Sequence, residues 1–60
     1  MDLGEWIETK EGRIFEIEGL GPSIVLGREI LYKNTDPKLR YGSLFEIEKE
    51  NIREDIKNEL

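Results

Sequence analysis

The tetrapeptide Phe-Glu-Ile-Glu occurs twice, as Phe15-Glu16-Ile17-Glu18 and as Phe45-Glu46-Ile47-Glu48. Each copy follows a glycine three residues upstream, Gly12 and Gly42, and an aliphatic residue, Ile14 and Leu44. Strand side chains alternate between faces, so each copy sends Phe and Ile to one side and both glutamates to the other. This is the pattern of a half-buried antiparallel strand, and it predicts that Phe15, Ile17, Phe45 and Ile47 share one core. The flanks of the two copies differ, Thr9-Lys10-Glu11 against Leu39-Arg40-Tyr41 before them and Gly19-Leu20-Gly21 against Lys49-Glu50-Asn51 after. In a chain rich in Glu and Ile, the echo is read as two similar strands rather than as an internal duplication.

Sixty residues make one domain spanning 1–60, and a fold of that size hides only about 60% of the surface its unfolded chain exposes. The chain has no cysteine and no histidine, so no disulfide can staple it and the usual zinc sites are excluded. Stability must come from one apolar cluster, which leaves room for support from a homo-oligomer. The first residues, Met1-Asp2-Leu3-Gly4-Glu5-Trp6, are acidic where a secretory leader is basic and then apolar, and the longest aliphatic run is Ile24-Val25-Leu26. Export and membrane insertion are therefore not expected, and a cytoplasmic location is.

Glu5-Trp6-Ile7-Glu8-Thr9 and Arg13 to Glu18 form a predicted hairpin joined by Lys10-Glu11-Gly12, where Gly12 supplies the left-handed residue that follows a type I turn. Gly19 to Ser23, with two glycines and a proline, is a turn or crossover. From Ser23 to Lys33 every residue is β-prone except at Gly27-Arg28. Gly27 either opens a tight turn between two short strands or marks a bulge in one long strand, so the sheet has four or five strands. Asn34 to Gly42 has loop composition, and Pro37 steers Asp36 away from helix. After the second echo, Ile52, Ile56 and Leu60 recur every four residues, with Asn51 and Glu54 placed as a capping pair, which predicts a short helix at 51–59.

No catalytic motif emerges. Without histidine, Ser23, Ser43, Thr9 and Thr35 cannot join a Ser-His-acid system. Gly19-Leu20-Gly21 lacks the lysine and hydroxyl residue of a phosphate loop, and Asn34-Thr35-Asp36 lacks the ligand count of a hard-cation site. No enzyme activity, cofactor or metal is expected. The lone tryptophan, Trp6, is assigned to the core or its rim because it supplies so much of the available apolar area.

Charge is uneven, net −4 over residues 1–18, +2 over 19–45 and −3 over 46–60, for −5 in all. Tyr32, Lys33, Lys38, Arg40 and Tyr41 fall within ten residues, and basic groups interleaved with aromatic rings can hold a nucleic-acid single strand by phosphate contact and base stacking. The net negative charge opposes a polyanion, so a protein partner is the first expectation and single-stranded nucleic acid bound through 32–41 the second.

The order of hairpin, glycine-rich crossover, β-prone stretch, loop, strand and then Lys49-Glu50-Asn51-Ile52 resembles small SH3-like barrel proteins, including those of phages and prophages. The resemblance implies a mainly β fold, a small antiparallel barrel closed by the C-terminal helix. It also implies an interaction module, such as a phage or prophage accessory protein. Members that take proline-rich peptides open on an Ala-Leu-Tyr stretch; this chain has no alanine, so that ligand class is not expected.

Overall fold

The computed structural model describes the backbone of residues 1–33 and 36–56, with side chains described for 1–31 and 41–55. Strand β1 (Trp6–Thr9) and strand β2 (Ile14–Leu20) form the expected hairpin. Gly12 has φ +86°, its N–H donates to the Thr9 carbonyl at 2.9 Å, and the Thr9 N–H donates to the Arg13 carbonyl at 2.8 Å. A residue with a Cβ is strained at that φ, so glycine here is a requirement of the turn.

Strand β3 (Ile24–Lys33) runs unbroken through Gly27. The tight turn at Gly27-Arg28 therefore does not form. A Cβ on Gly27 would stand 2.7 Å from Ile47 Cδ1 and 2.8 Å from Phe15 Cβ, so glycine is there to let core side chains close over the backbone of β3. The irregularity falls just beyond, where the β3 register shifts between Arg28 and Ile30.

Strand β4 (Asp36–Glu48) occupies most of the segment whose composition suggested a loop. The extended bias before Pro37 suits a strand as well as a turn, and β4 lies at the sheet edge, where a proline takes no donor from a ladder. Residues 34 and 35 lie outside the described residues.

The C-terminal helix expected at 51–59 is corrected by strand β5 (Ile52–Ile56), which follows a single 3-10 turn at Lys49–Asn51; residues 57–60 lie outside the described residues. A helix so short has little stability of its own, whereas β5 gives β1 a second hydrogen-bonded neighbour. The four-residue spacing of Ile52 and Ile56 was misleading because a register shift places Ile52 opposite Thr9 and Ile56 opposite Trp6, positions on opposite faces of β1.

The five strands form one antiparallel sheet in the order β4-β3-β2-β1-β5. Ile47 of β4 joins Ile7 of β1, Phe15, Ile17 and Val25 in a single buried cluster, with Ile52 packed against it. In a flat sheet β4 and β1 would be about 14 Å apart, three strand spacings, so the sheet must curl around this cluster. It does not close into a barrel among the described residues; β4 and β5 remain its edges. Only the 3-10 turn joins those edges, and its backbone is bonded elsewhere: Lys49 N–H donates to the Ser23 carbonyl and Lys10 N–H to the Asn51 carbonyl, both at 2.9 Å.

The echoed strands do share a face. Phe15, Ile17 and Ile47 are buried, while Phe45 sits at the rim, 36% exposed, its ring edge-on to Phe15 at 5.7 Å. Trp6 is buried as expected, on the face away from this cluster.

Candidate functional site

The β1–β2 turn delivers Arg13 to the rim of the core. Its guanidinium lies 5.2 Å from the Phe15 ring centroid and 4.7 Å from that of Phe45, and its Nε and Nη2 both donate to Glu29 at 2.9 Å. The hydrogen bond from Arg13 holds the Glu29 carboxyl below the usual carboxylate range, against a smaller opposing effect of desolvation. Beside this group opens a groove of about 190 Å³, with Phe15 and Phe45 in its lining and Glu11 and Glu48 among its polar residues.

The opposite face of the sheet carries a second polar network. The Glu16 carboxylate accepts from Trp6 Nε1 and from the Tyr41 hydroxyl, both at 3.1 Å. Arg28 donates through Nε to Glu18 at 2.9 Å and through Nη1 to the Gly42 carbonyl at 3.3 Å. That pairing draws the Glu18 carboxyl below its ordinary value, the hydrogen bond from Arg28 being the largest cause. On β5, Arg53 lies 3.6 Å from Glu8.

Arg13, Arg28 and Arg53 are thus committed to carboxylates within the sheet, while Glu46 and Glu48 toward the end of β4 stand exposed. Glu48 shares a hydrogen bond with Glu50, which pushes the Glu48 carboxyl above its ordinary value, helped by direct repulsion between the two. Among the described residues no group of three or more acidic side chains is placed to hold a metal ion, and no buried side-chain polar atom lacks a partner. Among the described residues the arrangement offers charged and apolar surface.

Of the five residues singled out in the sequence, Tyr41 is the one whose side chain is described, and its hydroxyl is bonded to Glu16. The side chains of Tyr32, Lys33, Lys38 and Arg40 lie outside the described residues; their backbone belongs to the β3–β4 ladder, with Arg40 opposite Leu31. Sequence reading missed the exposed aliphatic positions Ile24, Leu26 and Leu44. The unbroken run Ile24-Val25-Leu26 was the available signal, since consecutive apolar residues in a strand must present apolar groups on both faces. No family model matches the chain, and no curated protein or solved structure gives a significant match.

Proposed function

We propose that the protein is a small non-enzymatic interaction module that acts in the cytoplasm and binds a protein partner bearing positive charge. The resemblance to SH3-like proteins of phages and prophages points the same way, and the five-strand antiparallel sheet agrees with its coarser part, a mainly β fold. One observation carries the choice of partner: the described arginines are consumed in internal pairs while Glu46, Glu48 and Glu50 stand exposed together. A surface of that sign attracts a basic protein and repels a phosphate backbone.

The test is capture from native extract by the immobilised wild-type chain and by a Glu46→Lys/Glu48→Lys variant, each with and without nuclease. A protein retained after nuclease by the wild type and released by the charge reversal is the expected result. Retention that depends on intact nucleic acid, and that disappears in Lys38→Ala/Arg40→Ala, contradicts the reading.

A further inference from the structure

The outer face of β3 and β4 bears an apolar strip that the described fold leaves uncovered. Ile24 and Leu26 flank the fully buried Val25, so strand alternation puts them on the face away from the core. Leu44 joins them from β4, opposite Arg28 in the ladder and diagonal to Leu26. The three are 40%, 37% and 43% exposed. The residues directly opposite Ile24 and Leu26 are Glu48 and Glu46. At the Ile24 end the strip opens into a hollow of about 400 Å³ lined by Pro22, Ser23, Ile24, Glu48, Lys49 and Glu50. Lys49 brings one positive charge to the three carboxylates of Glu46, Glu48 and Glu50.

We propose that this surface seats an amphipathic helix of a partner protein, its aliphatic side chains on Ile24, Leu26 and Leu44 and its lysine or arginine side chains at Glu46, Glu48 and Glu50. The proposal rests on the protein-binding reading above and adds the place and the chemistry. A helix is chosen over an added strand because β3 is interior to the sheet, with β2 and β4 on its two sides, so the strip can be reached only from above the face. The dimensions agree: Ile24 and Leu26 are about 6.7 Å apart along the strand, close to the ~6 Å rise of four helical residues. A helix about 10 Å across covers the two strands concerned. A second copy of this chain is a poorer occupant, because it would set Glu46 and Glu48 against further carboxylates on a molecule of net charge −5.

The test is a titration of the isotope-labelled full chain, followed by amide NMR, with a synthetic peptide of about 20 residues. Leucines recur on one helical face and lysines flank them; a scrambled peptide of the same composition is the control. Saturable shifts are expected at residues 24, 26, 44, 46 and 48. Affinity is expected to weaken about tenfold or more in Leu26→Ser/Leu44→Ser and in Glu46→Lys/Glu48→Lys, equivalent to ~1.4 kcal/mol or more. It should change less than about twofold in Glu54→Lys/Asp55→Lys, the same charge change placed on β5. Equal binding of the scrambled peptide, equal loss in the β5 variant, or no shift with millimolar peptide overturns the proposal. Shifts confined to the Arg13–Phe45 groove overturn it too, yet leave protein binding standing. If a labelled single-stranded oligonucleotide binds while neither peptide does, both fall. Reversible dimerisation in sedimentation velocity, abolished by Leu26→Ser/Leu44→Ser, assigns the strip to a second copy instead.

Discussion

Gly27→Ala tests the packing at the centre of the sheet. The added methyl would sit 2.7 Å from Ile47 Cδ1 and 2.8 Å from Phe15 Cβ, where carbon atoms prefer about 3.5–4.0 Å. Ile47 can turn its terminal methyl aside, but Phe15 Cβ moves only with the backbone of β2. Overpacking of this kind costs about 1–3 kcal/mol. Replacing glycine returns about 0.4–1 kcal/mol by restricting the unfolded chain, and since the φ of Gly27 is not positive no further backbone strain enters. The net expectation is a loss of about 1–2 kcal/mol, a large share of the ~3–9 kcal/mol available to a chain of this length. It corresponds to a fall in Tm of about 5–15 °C. Gly42→Ala is the internal control: its nearest contact is the flexible Leu31 Cδ1 at 3.3 Å, and a change within ~0.5 kcal/mol is expected. Thermal and urea melts of the two variants provide the measurement. A Gly27→Ala variant melting at or above wild type, or a Gly42→Ala variant losing as much, would refute the assignment of Gly27 to the closed inner face.

A Cβ added at Gly12 would meet no atom within 4 Å, so substitution there costs backbone strain alone. Gly12→Val is expected to lose about 1–2 kcal/mol and Gly12→Asn clearly less; equal melting temperatures would show a different turn. Ile52→Ala removes a half-buried side chain from the core edge and should cost about 1–2 kcal/mol, with backbone NMR shifts of residues 52–56 remaining those of a strand; helical shifts there would contradict β5. Glu18 and Glu29 have lowered folded-state pKa values, so their ion pairs contribute stability above the ordinary carboxylate pKa and lose it as pH falls through the folded values. Glu48 has the opposite sign: its raised pKa favours the folded state at acidic pH, and that contribution is lost as pH rises through the folded value. Urea midpoints across the acid limb should therefore fall less steeply in Glu29→Gln than in wild type and more steeply in Glu48→Gln.

The hairpin, the shared face of the two echoed strands and the burial of Trp6 were legible because each rests on local rules: alternation, a glycine at positive φ, and the area of an indole ring. The end of the chain was not. Ile52 and Ile56 satisfy a helical period, and the choice against it is made by β1, whose free edge takes β5, together with a register shift that no local pattern announces. Gly27 shows the same limit. A turn and a close approach both require glycine, and only the crossing of Phe15 and Ile47 above β3 separates them. Pro37 was read as a loop signal because sequence does not reveal that β4 is an edge. At the level of the site, the glutamates of the first echo are absorbed by Trp6, Tyr41 and Arg28, whereas those of the second stay exposed. Identical tetrapeptides thus play different parts, and the difference lies in cross-strand neighbours.

Selection of a cationic protein over a polyanion is decided most directly by fluorescence anisotropy of labelled single-stranded DNA and RNA titrated with the full chain at physiological salt. The expected result is no saturable binding at micromolar protein, in the wild type and in Lys38→Ala/Arg40→Ala alike. Micromolar binding that weakens steeply with added salt and is lost in the double variant would place the function in residues 32–41 and contradict the assignment to a protein partner.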